Sequence, residues 1–192
     1  NEWTVSDYNS ESTSTNVSGG VYKTVQVMDG TSLVSTYTTS PNGGSVSSSE
    51  SRTRINSWTY TIDKDGTWNS LKNTTRTDLL SNETDNTIRD YSGVWNFIGK
   101  SKTEEFKMNE RVIFNILDVK ITETYTVGNS APIVSTDIYT LSNDDDDAYI
   151  MYTVVESKGK KLTLESESTS SNTDSYGTSS STGLTTISFT QE

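Results

Sequence analysis

The residues able to do chemistry are few in kind. The chain has no Cys and no His among its 192 residues, which excludes thiolate nucleophiles, Ser-His-Asp triads and the common zinc and copper sites. Carboxylate, Lys and Tyr chemistry remain. Asn143 is followed by four adjacent aspartates, Asp144 to Asp147, oxygen ligands of the kind calcium takes. They lack the spaced Asp-x-Asp-x-Asp-Gly pattern with a distal Glu, and adjacent side chains alternate in direction, so a solvated acidic turn is expected. Asp63-Lys64-Asp65-Gly66 carries the first fragment of that pattern with nothing after it, and is better hairpin chemistry. Two carboxylates facing across a cleft would serve glycoside hydrolysis. Glu104, Glu105 and Glu110 qualify by type, but they are interspersed with Lys102, Lys107 and Arg111, the pattern of a solvated face. The expectation is no enzyme: no catalytic residue, no metal and no cofactor.

The aromatic side chains point elsewhere, to binding. Trp58, Tyr60 and Ile62 alternate with Thr59 and Thr61, the period of a strand with one buried face, and Asp63 to Gly66 supplies a tight reversal before Trp68. This reads as a β-hairpin. Its echo is Ser92-Gly93-Val94-Trp95-Asn96-Phe97, where Gly93 marks a bulge or a place where another backbone comes close. Trp58, Tyr60, Trp68, Trp95 and Phe97 are candidates to line a cavity for a small apolar ligand. The same five rings would also fill a solid core, the first expectation for a small barrel. Tyr139, Tyr149 and Tyr152 carry the same choice, between a hydroxyl at a cavity mouth and an ordinary exposed strand tyrosine.

Such rings need a sheet to hold them, and the rest of the chain supplies one. About a third of the residues are Ser or Thr, and the turn signals Ser18-Gly19-Gly20, Asp29-Gly30 and Pro41-Asn42-Gly43-Gly44 punctuate β-type segments. Roughly ten strand candidates follow one another through turns too short for crossovers, so an antiparallel up-and-down meander is expected, closing into a barrel of about 8 to 10 strands as a single domain over residues 1–192. Glu2 to Tyr8 is expected to alternate Trp3, Val5 and Asp7 against Thr4, Ser6 and Tyr8. Arg111 to Thr126 is expected to be apolar on both faces in its first half, with Val112, Phe114 and Ile116 opposite Ile113, Leu117, Val119 and Ile121. Ser45 to Arg54 suits an exposed strand or a loop, and Ser166 to Thr182 reads as low-complexity polar sequence. Lys102 to Arg111 is the one segment where a short helix is plausible, against an irregular loop.

Tyr60 to Trp68 (Tyr-Thr-Ile-Asp-Lys-Asp-Gly-Thr-Trp), Ser92 to Trp95 (Ser-Gly-Val-Trp) and Lys160 to Leu164 (Lys-Lys-Leu-Thr-Leu) resemble the lipocalin-like domains of exported, frequently lipid-anchored proteins of Bacteroidetes-type bacteria. The resemblance covers positions 58 to 164. It implies a calycin-type barrel and an extracytoplasmic location, whether secreted, periplasmic or anchored at the outer membrane by a lipid upstream of Asn1. It carries no catalytic residues.

A formal net charge of −11 with scattered Lys and Arg argues against nucleic acid, and no apolar run is long enough to be a transmembrane segment. The expected function is a non-enzymatic lipocalin-like protein holding a small apolar molecule. The alternative is a structural or adhesive cell-surface module binding protein or glycan through its Ser/Thr-rich outer strands.

Overall fold

The computed structural model describes residues 2–100, 110–142, 148–174 and 177–191. Within them the regular elements are strands: β1 (Glu2–Thr15), β2 (Val21–Asp29), β3 (Ser32–Ser40), β4 (Ser47–Ile62), β5 (Thr67–Asp78), β6 (Glu83–Lys100), β7 (Glu110–Val127), β8 (Ile133–Thr140), β9 (Tyr149–Lys158), β10 (Lys161–Asp174) and β11 (Gly177–Thr190). Neighbours in sequence pair antiparallel except β8 and β9, which both pair with β7; β11 returns to β1, and β6 pairs with β7, so the sheet closes on itself as an up-and-down barrel. The short-helix candidate and the Asp144–Asp147 turn fall largely on residues 101–109 and 143–147, outside the described residues.

The barrel is tapered. At one end Glu2, Trp3 and Thr4 of β1 pair directly with Thr61, Tyr60 and Thr59 of β4, so β1, β4, β5, β6, β7, β9, β10 and β11 form the ring. Further up, the β2–β3 hairpin wedges between β1 and β4 and widens it. β8 and β9 share one edge of β7, β9 against Arg111–Asn115 and β8 against Asp118–Tyr125, so together they make one interrupted stave. β10 pairs with β9 only as far as Glu165, and among the described residues it has no partner opposite β8. The wall is therefore split above that level.

Three bulges decide which side chains point inward. Extra residues Ser6 in β1, Asn56 in β4 and Leu117 in β7 each shift the register by one. Each flips the alternation, so that Val5 and Tyr8, Ile55 and Trp58, and Ile116 and Val119 share the interior although they are three apart. This corrects two expectations. Tyr8 faces inward with Val5, not opposite it, and β7 is not covered on both sides: Val112, Phe114, Ile116 and Val119 are buried while Leu117 is exposed. The polar stretches Ser45 to Arg54 and Ser166 to Thr182 are largely strand, because cross-strand Ser/Thr pairs such as Thr38–Ser48 (3.5 Å) and Thr173–Thr178 (3.0 Å) satisfy them without apolar packing.

The narrow end is plugged by rings in contact. Phe189 meets Tyr60 edge-on at 5.0 Å, Tyr60 stacks on Trp68 at 6.1 Å, Trp68 meets Phe114 at 5.2 Å and Phe114 meets Tyr152 at 5.9 Å. The β4–β5 hairpin presents Tyr60 and Trp68 from its two arms. Asp63 N–H donates to the Thr67 carbonyl (3.0 Å), and Gly66 takes the positive φ (+89°) that the reversal needs. Asp65 accepts from the Thr67 hydroxyl (2.7 Å) and N–H (3.0 Å), which holds its carboxyl below the usual range.

Gly93 is the cross-strand partner of Trp68. A Cβ there would overlap the Asn115 carbonyl oxygen, which also accepts the Trp68 Nε1–H at 3.0 Å. Backbone, not a movable side chain, occupies the space. Gly93→Ala is expected to cost about 3 kcal/mol or more by forcing β6 and β7 apart; urea unfolding of the variant against wild type measures it, and a loss under about 0.5 kcal/mol would show that the crossing is not tight.

Candidate functional site

Above the aromatic plug lies a cavity of about 570 Å³. Trp68, Tyr60 and Tyr152 form its floor; Trp58, Tyr8, Ile116, Val119 and Ile187 form apolar walls; Tyr139, Leu141, Tyr149, Ile150 and Ser166 stand where β8 and β9 part from β10. The interruption of the β8–β9 stave has a local cause. Leu117, the bulged residue of β7, accepts from Leu141 N–H (2.8 Å), and Ile116 donates to the Ala148 carbonyl (2.7 Å), so the chain leaves β7 at one side of the bulge and rejoins at the other.

The polar members of the lining come from β5 and β6. Inward alternation along β5 gives Trp68, Ser70, Lys72 and Thr74, and along β6 gives Arg89, Tyr91 and Gly93. Lys72 is paired across the sheet with Trp58 on one side and Arg89 on the other, so two cations stand side by side in the interior. The Lys72 ammonium sits 3.7 Å from the centroid of Trp58 and 5.7 Å from that of Tyr8, whose ring contacts Trp58 at 5.1 Å. Among the described residues no carboxylate lies within 4 Å of either cation; the ion pairs found are Lys23–Glu11 (2.6 Å), Arg52–Asp29 (3.4 Å) and Arg52–Glu50 (3.1 Å), all on the surface. Burial, reinforced by the Arg89 charge, brings Lys72 down to about 8, and burial pushes the hydroxyls of Tyr60, Tyr91 and Tyr152 up. Arg89 also borders a second, more polar cavity of about 480 Å³ toward the wide end, with Arg76, Asp85, Glu123 and Tyr125.

Of the five rings singled out in the sequence, Trp58, Tyr60 and Trp68 meet at this cavity, and Tyr139, Tyr149 and Tyr152 join them. Trp95 and Phe97 do not. β6 runs on past the plug: Trp95 Nε1–H donates to the Asp63 carbonyl (2.9 Å), clasping the β4–β5 turn, and Phe97 packs on Trp95 at 5.2 Å with 60% of its surface exposed. Lys72 and Arg89 escaped the sequence reading. Their signal was parity, since Lys72 stands two and four residues from Ser70 and Trp68, and Arg89 two and four from Tyr91 and Gly93. Of the carboxylate candidates, Glu104 and Glu105 lie outside the described residues and Glu110 is exposed at the start of β7. No Asp or Glu among the described residues lines the 570 Å³ cavity. No group of His, Cys, Asp or Glu among them could hold a metal, and no helix is long and apolar enough to cross a membrane. The chain matches no family model, no curated protein and no solved structure.

Lys72 gives a pH signature. Its folded pKa of about 8 lies below the ordinary lysine value of 10.5, so between those values the unfolded chain holds the extra proton and stability rises with pH. Lys72→Met removes that slope and is expected to stabilise the protein at pH 7 by about 1–2 kcal/mol, after discounting for access of water to the ammonium. Urea midpoints of both proteins from pH 7 to 10 test this; parallel curves would mean that Lys72 titrates as it does in water.

Proposed function

We propose that the protein is a non-enzymatic, lipocalin-like binding module that holds a small, largely apolar molecule inside its barrel. The observation that carries the reading is the aromatic-floored cavity of about 570 Å³, within the size range of small-molecule sites and bordered by the place where the wall divides. The rings of Trp58, Tyr60 and Trp68 supply flat apolar area, and the hydroxyls of Tyr91, Tyr139 and Tyr149 supply the few polar contacts that orient a ligand. The resemblance of the Tyr60–Trp68, Ser92–Trp95 and Lys160–Leu164 segments to exported lipocalin-like domains supports the same assignment. It also suggests an extracytoplasmic site of action, secreted, periplasmic or tethered to the outer membrane by a lipid.

Trp58 and Trp68 border the cavity and Trp95 does not. Titration with a neutral apolar probe such as N-phenyl-1-naphthylamine is expected to quench intrinsic fluorescence in wild type and in Trp95→Phe, and to lose a large part of that response in Trp58→Phe, with Trp68 carrying the rest. An unchanged spectrum across a panel of apolar probes would remove the reading.

A second reading, an adhesive module, is favoured by β8. This strand is exposed along its whole length, with Ile133 at 68% and Ile138 at 72%, and its free edge faces the parting from β10. Such an edge suits addition of a strand from another protein. If it is used, light scattering or pull-down with a candidate surface protein will find a complex that Ile138→Lys weakens at least tenfold while probe binding in the cavity is kept.

A further inference from the structure

We infer that the molecule held in the barrel is an amphipathic carboxylic acid, its apolar body on the aromatic floor and its carboxylate between Lys72 and Arg89. This rests on the binding reading above and adds the chemistry of the head group.

The argument starts from the charges. In a chain of net charge −11, carboxylates outnumber cations 26 to 15, so a cation without a carboxylate beside it is the less expected outcome. Arg52 on the surface has two, and Lys23 has one. Lys72 and Arg89 have none within 4 Å among the described residues, although they stand directly opposite each other, an arrangement that repels. Neither can be explained as filling, since apolar side chains at two inward positions would pack the lumen without the desolvation cost. Both border the 570 Å³ cavity, whose lining contains no acid among the described residues.

The geometry then selects the anion. The Trp58 face occupies one side of the Lys72 ammonium and neutralises only part of its charge, leaving other N–H bonds to be satisfied from the lumen. A guanidinium offers two parallel N–H donors that match the two oxygens of a carboxylate, and an ammonium beside it adds a point charge. Ser70, on the same face of β5 between Trp68 and Lys72, gives a hydroxyl at the level where floor gives way to cations. The order from the plug upward is thus ring, hydroxyl, cation, which is the order of an acid with an apolar tail or ring pointing down. A neutral lipid would leave both cations without an anionic partner among the described residues, and a dianion would find no third cation among the described residues of this lining.

Matched pairs separate the head group from the body. Dodecanoic acid against 1-dodecanol, and 2-naphthoic acid against 2-naphthalenemethanol, are titrated by displacement of the neutral fluorescent probe from the full chain at pH 7. At least one acid is expected to bind wild type tenfold or more tightly than its alcohol. Lys72→Met and Arg89→Met are each expected to erase most of that preference, read as the ratio of acid to alcohol affinity within each variant, and retained binding of the probe shows that the variants are folded. Equal affinity of acid and alcohol for wild type would overturn the carboxylate inference and leave the cavity reading standing. Binding of the probe with neither acid binding would do the same. Failure of the probe and of all four compounds would overturn both. A preference for the acids that survives both substitutions would place the carboxylate elsewhere and overturn the assignment to Lys72 and Arg89.

Discussion

The rest of the barrel depends on one crossing, where the Trp68 indole donates to the Asn115 carbonyl while Gly93 lets that same carbonyl approach β6 without a side chain in the way. A hydrogen bond of this kind is worth on the order of 1 kcal/mol by itself. Its structural effect is larger, because it sets the largest ring of the plug at a fixed height against the β6–β7 bulge. From there the contacts pass through Tyr60 to Phe189 on one side and through Phe114 to Tyr152 on the other, so five strands meet in one layer of rings. The room of the 570 Å³ cavity lies above that layer.

That room follows from strand count and from bulges acting together. A ring of eight staves is just wide enough to be filled by side chains, and the inserted β2–β3 hairpin takes the upper barrel past that limit. Small residues line the wide part, Ser10 against Thr185 for example, so widening is not compensated by larger side chains. The bulge at Leu117 adds the second ingredient. By interrupting the stave made of β8 and β9 it leaves β10, among the described residues, without a neighbour on the side away from β11 above Glu165, and the cavity lies at that level.

Much of this was legible in the sequence, and the failures share a cause. Strand alternation and turn residues located the hairpin at Asp63–Gly66 and the close approach at Gly93, both of which are local features written in a few residues. Parity counted along a strand broke wherever a bulge inserted one residue, as at Ser6 and Leu117, because nothing in Val-Ser-Asp or Ile-Leu-Asp distinguishes a bulged residue from a paired one. Trp95 and Phe97 were grouped with the cavity rings by their spacing from Gly93. Only the taper of the barrel shows that β6 has by then passed below the plug. Ser166 to Thr182 carried no apolar signal because both its faces are polar there, and its strand character comes from the hydroxyl ladder with its neighbour.

The interior cations set the energetic character of the barrel. Two like charges on adjacent strands, one of them held near a pKa of 8 by burial, oppose folding at neutral pH, and the Trp58 face offsets only part of that opposition. A core chosen for stability alone would not contain them. Occupancy by an anion reverses the sign of their contribution, since each then gains a partner in a site of low dielectric. If the proposed acid binds, that free energy is coupled to folding: a ligand present at a hundred times its dissociation constant would add about 2.7 kcal/mol to stability. The repulsion between the two cations falls on β5 and β6, the two strands that also carry the Trp68 and Gly93 crossing. An anion held between Lys72 and Arg89, as proposed, would therefore tighten the same strand pair that holds the plug in place.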